Sequence, residues 1–485
     1  MQGTARIPEG IETGESALSH YLANYWNIYR EFLETFKNFK FNNIPIAIVT
    51  NFYQHFDSEL KRKMEAEDFT NESRYELKKE MIQPYFDKWL GDTRLTHTDG
   101  VKGGKVLINY DYTRIPESCY KTLFDPKQTI ILSRSAKTHL YGIPVETLHK
   151  YEQSNDLISI QLVKNAETIF KKLHDHPVFS NEFFQQTFLK RIPLIVKTIS
   201  TVCHFFEHVN ISAIVVGTTE DVVSRVLAIV GTIHGIKSVC LQHGALMGEE
   251  AFMPVFTTTV AVYGEYEKNW YLQRGVPQER IAEIGHPKYD EIFTKTRGKK
   301  KSFYKRFNLD PAKQTLLVIT GPNIEPEKFL RLMRNILANT SYQIIIKPHP
   351  WEVGKGKCGI YFELEKKYKT VQVFTSRENY LYDLISQVDG VVASLSTVVL
   401  ESILFSKPVF IFDFVISNRS YDYYEKLGEF LQTGPDRLTE VIDQFFSTNE
   451  KKEDYQRIRS EYASCSYNDG TSGKKLLAHL NELQA

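Results

Sequence analysis

Between Gln343 and Asp413 the chain reads Ile344-Ile345-Ile346-Lys347-Pro348-His349-Pro350. It continues with Val391-Val392-Ala393-Ser394-Leu395-Ser396-Thr397, passes Glu401, and reaches Pro408-Val409-Phe410-Ile411-Phe412-Asp413. Apolar, β-branched runs of this length, stopped by small or cyclic residues, predict buried parallel strands. Open parallel sheets bind ligands just beyond the carboxyl ends of their strands. A donor-rich Lys-Pro-His-Pro turn and a Ser-x-Ser-Thr helix start at one such edge point to a nucleoside mono- or diphosphate site.

Each motif has a structural alternative. The hydroxyls of Ser394, Ser396 and Thr397 can cap a helix, but one cap needs a single hydroxyl; three can also join the free N–H groups of the first turn around a phosphate. Glu401, one turn on, can accept ribose hydroxyls or simply pack. Pro348 and Pro350 stiffen the backbone around His349 and bias Lys347 and His349 towards extended geometry, aiming two donors outward. Pro350 closes that phosphate-binding turn. Gly321-Pro322-Asn323 follows another predicted strand, 315–320, and reads as a nucleotide-side loop with no catalytic residue.

Working outward, Ala213-Ile214-Val215-Val216, a helix to about Gly231, and Ser238-Val239-Cys240-Leu241 predict a βαβ unit. It ends in Gln242-His243-Gly244, where a histidine can serve as general base. Glu249 and Glu250 follow as alternative bases. Asp99, in His97-Thr98-Asp99-Gly100 on a glycine-rich loop, is a further candidate. Gly285-His286-Pro287, with Asp290, reads as closing a strand at the domain junction. Apolar residues at helical spacing (Leu18, Tyr21, Leu22, Tyr25, Ile28, Phe32, Phe36) predict an amphipathic helix, which packs on its domain or lies on a membrane surface. Residues 44–49 read as a short strand.

At 485 residues the chain calls for two or three domains. Sixty basic and 59 acidic side chains give a net charge of +1, which excludes a general nucleic-acid coat. No apolar run reaches the roughly 20 residues that span a bilayer. The five cysteines are scattered, as in a reduced, cytoplasmic protein. None of the motifs above has metal-site spacing, and no Asp-x-Asp pair follows a strand to hold Mg²⁺, so neither metal nor cofactor is expected.

Gln242-His243-Gly244, Tyr263-Gly264-Glu265, Gly285 to Asp290, Lys347 to Pro350, Ser394 to Thr397 with Glu401, and Lys407-Pro408-Val409 together resemble bacterial cell-surface polysaccharide transferases of the GT-B fold. These include capsule Kdo transferases, sialyl- and polysialyltransferases, and CDP-glycerol glycerophosphotransferases. The resemblance covers roughly residues 210–480. It implies an α/β fold of two Rossmann-like, doubly wound domains facing across a cleft, with N-terminal helical additions. The expected division is 1–258 on the acceptor side, 259–467 on the nucleotide side, and a terminal helix, 468–485, returning to the first domain. It also implies a nucleotide-sugar donor, with a CMP-linked acid sugar favoured, and a glycan or lipid-linked glycan acceptor met at the inner membrane face. His243 maps onto the glycerophosphotransferase histidine, His349-Pro350 and Ser396-Thr397 onto donor-phosphate motifs, and Thr98-Asp99-Gly100 approximates the sialyltransferase acid motif. Alternatives are a CDP-alcohol phosphotransferase, a UDP-sugar 2-epimerase, and a non-catalytic nucleotide-sugar-binding protein.

Overall fold

The computed structural model describes residues 18–69, 77–94, 103–296, 298, 300–322, 324–376, 381–414 and 421–484. Asp99 and Asn323 lie outside them. A minor pair, β1 (Lys40–Phe41) and β2 (Ile44–Pro45), sits beside two larger sheets. The first of these comprises β3 (Lys105–Asn109), β4 (Thr129–Leu132), β5 (His139–Leu140), β6 (Ile143–Glu146), β7 (Ile211–Val216), β8 (Lys237–Leu241), β9 (Thr259–Ala261) and β10 (Ile281–Ala282), in the order β10-β9-β8-β7-β3-β4-β6-β5. Only β5 runs antiparallel, against β6. The second comprises β11 (Gln314–Ile319), β12 (Tyr342–Lys347), β13 (Val371–Val373), β14 (Gly390–Ala393), β15 (Val409–Phe412) and β16 (Leu431–Gln432), in the order β13-β12-β11-β14-β15-β16 and parallel throughout.

Strands buried on both faces suit parallel sheets flanked by helices, and every residue of β7, β14 and β15 is buried. In both sheets the strand order reverses once. The reversal falls between β3 and β7 in the first and between β11 and β14 in the second. In open sheets of this kind ligands bind in the crevice at such a switch point.

Three sequence expectations change. β9 and β10 belong to the first sheet, so that domain runs past 258, to at least Ala282. The connection from Gly285 to the helix Lys300–Arg306 then leads into β11. Residues 44–49 are not a strand: after Ile44–Pro45 the chain makes one helical turn, Ile46–Val49, all four residues buried. Four apolar residues in a row carry no periodicity to separate the two states. Third, β3 and β4 lie in a region where the sequence reading placed no strand.

The helix Ser472–Gln484 returns to the first sheet. Its Leu476 and Leu480 are fully buried with Ile108, Val215 and Val239. Asp290 anchors its start, accepting from Ser472 N at 2.9 Å and Gly473 N at 2.7 Å. The amphipathic helix His20–Thr35 is an integral core element: Tyr25, Trp26, Tyr29 and Phe32 are buried, with the Tyr29 and Phe52 rings stacked at 4.2 Å. Among the described residues no helix is long and apolar enough to cross a membrane.

Candidate functional site

Residues beyond the carboxyl ends of the two sheets meet, Lys288 Nζ lying 3.5 Å from Glu401 Oε1, and most of the expected site residues lie at these ends. On the second sheet, Lys347 ends β12. Its Nζ donates to the Ser376 carbonyl at 2.6 Å and lies 5.4 Å from the Phe374 ring centre, and partial burial lowers its pKa. His349 caps the short helix Pro350–Gly354. Its Nδ1 accepts from Trp351 N at 3.1 Å, so the neutral ring carries its proton on Nε2, which remains a donor. Burial, with a contribution from Arg114, keeps that ring below the ordinary histidine range.

Glu352 braces this turn. It accepts from His349 N at 3.0 Å, from Thr320 Oγ1 at 2.6 Å and from Tyr361 OH at 2.7 Å, tying the end of β11 to the turn after β12. Gly321 lies against Ser394, where a Cβ would come within 3.0 Å of the serine Oγ. Ser396 is the N-cap of the helix Thr397–Leu404, yet its hydroxyl makes no capping bond. The first-turn N–H groups and the Ser396 and Thr397 side chains are therefore not consumed by a cap.

On the opposite wall, His243 follows β8. Gln242 Nε2 donates to Gly244 O at 2.7 Å and Tyr263 OH to Gln242 O at 2.7 Å, so the turn is held from both sides. The His243 ring stacks on Phe252 at 4.8 Å. Burial, with Arg114 and Lys288 nearby, lowers its pKa to about 4. His243 is thus neutral at cellular pH and able to take a proton.

Three residues that the sequence reading did not assign complete this wall. Arg114 sits in the loop after β3 with φ 50°, following Tyr112 at φ 64°. Gly217, after β7, allows that loop to close down: a Cβ there would lie 2.2 Å from the Tyr112 carbonyl carbon. Arg114 is exposed, and its charge acts on His243, His286 and Lys288 on one wall and on His349 and Glu401 on the other. Lys288 is buried; its Nζ lies 3.5 Å from Glu401 Oε1 and 4.4 Å from the Tyr289 ring centre. Burial lowers the Lys288 pKa to about 8, while Glu401 is raised by burial and pulled back by Lys288 and Arg114. Glu401 is therefore neither a surface residue nor an open ribose acceptor; it is engaged across the cleft.

The third residue is Glu267. It is fully buried beneath the His243 turn, and neither carboxylate oxygen has a hydrogen-bond partner of full-strength geometry. Burial raises its pKa to about 8, offset only in part by the Gln242 amide and nearby backbone. A carboxyl raised this far prefers the proton in the folded state, so it favours folding fully below the unfolded value and loses that contribution as pH climbs through about 8. Replacing Glu267 by Gln is expected to flatten the fall in stability between about pH 4.5 and 8. The gain at pH 8 should be roughly 3–5 kcal/mol, measured by urea denaturation across that range. A slope equal to wild type would show that the group is not held neutral.

Glu249 is removed from the site. It is buried, accepts Trp26 Nε1 at 2.6 Å, and pairs with Arg274 Nε at 2.8 Å and Nη2 at 2.6 Å. Arg274 in turn stacks over Trp270 at 3.5 Å. A carboxylate spent on three donors inside the core is a structural tie, not a base. Glu249→Ala should leave the Arg274 charge buried and unpaired, costing roughly 3–5 kcal/mol. The check is a denaturation midpoint together with activity per folded molecule, which should be unchanged.

Comparison with known proteins bears on the fold and on the class of enzyme. Residues 258–482, just under half of the chain, match the family model described as CDP-Glycerol:Poly(glycerophosphate) glycerophosphotransferase. On that match the chain is an enzyme, a transferase acting on nucleotide-linked donors. No curated protein matches the sequence. Among solved structures, UDP-GlcNAc 2-epimerase from Neisseria meningitidis bound to UDP-GlcNAc superposes with a TM-score of 0.51 at 14% identity, covering 78% of this chain and 100% of its own. A second UDP-N-acetylglucosamine 2-epimerase gives 0.50 at 12%, covering 79% and 97%. The wall teichoic acid polymerase TagF gives 0.48 at 14%, covering 82% and 93%. The fold is GT-B. At these identities the epimerase likeness speaks to fold alone.

Proposed function

We propose that the chain is a phosphotransferase that moves the alcohol-phosphate group of a CDP-alcohol onto a hydroxyl of a bacterial surface polymer. The observation that carries this reading is the pair of cations, Arg114 and Lys288, beside His243 on the acceptor wall. In sugar transfer the electrophilic carbon gains positive character in the transition state. Arg114, with Lys288 held against Glu401, leaves net positive charge at that place, and this opposes such a charge. In phosphoryl transfer the group in flight carries negative charge on its equatorial oxygens, and cations on both sides stabilise it. The family match over 258–482 supports the same class of donor.

In this scheme the acceptor hydroxyl attacks the phosphorus that bears the alcohol. His243 takes the hydroxyl proton, and the bond from that phosphorus to the oxygen bridging to CMP breaks. CMP leaves towards the Lys347–His349 turn and the Ser396–Thr397 helix start. Arg114, Lys288 and Lys347 supply positive charge at the phosphates, so the scheme needs no divalent ion. The reading replaces the CMP-linked acid sugar that the sequence motifs favoured.

The test is a donor panel of CDP-glycerol, a CMP-linked acid sugar and UDP-GlcNAc, each with a polyol-phosphate or glycan acceptor, following nucleotide release and product. CMP released from CDP-glycerol, matched by new phosphodiester, is the expected result. Turnover of either sugar donor with CDP-glycerol inert would overturn the proposal in favour of sugar transfer. Epimerised UDP-GlcNAc without nucleotide release would make the chain an epimerase. Absence of turnover with every donor would leave a nucleotide-binding scaffold.

A further inference from the structure

The far edge of the first sheet carries a cluster unrelated to the cleft. The helix Glu182–His208 ends in Cys203-His204-Phe205-Phe206-Glu207-His208 before the chain enters β7 at its amino end. Residues three and four apart share a helix face, so His204, Glu207 and His208 lie together. Two histidines four apart are the spacing by which a single helix chelates zinc. Phe205 is buried against the core, while Glu207 and His208 are exposed and His204 is half-buried. One candidate ligand atom from each, a ring nitrogen of either histidine and a carboxylate oxygen, falls within 4.8 Å of the others.

Hydrogen bonding prepares both rings. His204 Nδ1 lies 3.0 Å from the Tyr151 carbonyl, and His208 Nδ1 lies 2.8 Å from the His204 carbonyl. A carbonyl oxygen only accepts, so each Nδ1 carries the ring proton. Each neutral ring then keeps its lone pair on Nε2, the tautomer that binds a metal, with the backbone carbonyl as its supporting partner. The ring centres stand 4.3 Å apart at 80°, so the two imidazoles do not stack face to face.

We infer that His204, Glu207 and His208 form a binding site for a divalent transition ion of the zinc class. Two imidazole nitrogens and one carboxylate oxygen suit such an ion, with water completing the tetrahedron; Mg²⁺ and Ca²⁺ prefer all-oxygen shells. A bound ion would tie the last turn of the helix to the 148–151 segment through His204 and Tyr151.

The experiment is titration of the full chain with Zn²⁺ in competition with a fluorescent chelator, in a Cys465→Ser background because that thiol is free and exposed. The expected result is one equivalent bound at micromolar concentration, weakened at least about tenfold in His208→Ala and in Glu207→Ala. Millimolar Mg²⁺ should not compete, and transferase activity should be the same with and without Zn²⁺, since the cluster lies at the opposite sheet edge from the cleft. Absence of stoichiometric binding, or binding in His208→Ala equal to the parent, overturns the assignment.

Discussion

Arg114→Ala is expected to lower turnover about 10²–10³-fold, the range for losing one preorganised donor to a developing charge. Its side chain is exposed, so stability should change by less than about 0.5 kcal/mol. The loss should fall mainly on kcat, with a smaller rise in donor KM, because the guanidinium stands between the two walls and meets the transferred group as negative charge spreads over it. Arg114→Lys should recover part of the rate, since charge is kept and the forked geometry is lost. Single-turnover kinetics with saturating donor give the test: a rate within twofold of wild type would remove Arg114 from the mechanism.

His243→Ala should cost about 10²–10⁴-fold in rate, the usual worth of a positioned general base. Nucleotide affinity should be kept, because in the proposed scheme the ring serves the acceptor and the opposite wall holds the nucleotide. The acid limb gives a second signature. A base with a pKa of about 4 stays unprotonated through the ordinary range, so kcat/KM should hold down to about pH 5 and fall near 4, below the limb of about 6.5 for an unperturbed histidine. Arg114 is one cause of that depression, so Arg114→Ala should also move the acid limb upwards. Unequal outcomes are informative: loss of nucleotide binding in His243→Ala would place the ring on the donor side.

The turns of the second sheet were legible because their pattern is local. Lys347, His349, Ser394 and Ser396 each sit within a few residues of a strong apolar strand, and the predicted and observed strands differ by a residue or two. The acceptor half was less so. Lys105–Asn109 and Thr129–Leu132 are short strands that the sequence reading did not place, so the loop carrying Arg114 had no sheet to hang from. Its importance depends on Gly217, about a hundred residues away, giving way to the Tyr112 backbone, a contact that no spacing records. Lys288 was visible inside Gly285 to Asp290, but its buried partner Glu401 comes from the other domain. Glu249 shows the converse: a carboxylate two turns of sequence past a histidine looks available until Trp26 and Arg274 are seen to hold it.

The return of Ser472–Gln484 to the first sheet has a consequence for how the molecule is made. The face formed by Ile108, Val215 and Val239 is translated before the second sheet, but Leu476 and Leu480, which seal it, emerge only after that sheet. The acceptor-side unit is begun first and finished after its neighbour, so it waits with an open apolar face while the nucleotide-side unit is synthesised. A nascent chain in that state is open to wrong partners. Ribosome stalling or a stop codon anywhere in 290–470 should therefore yield an aggregating fragment in place of a smaller working domain.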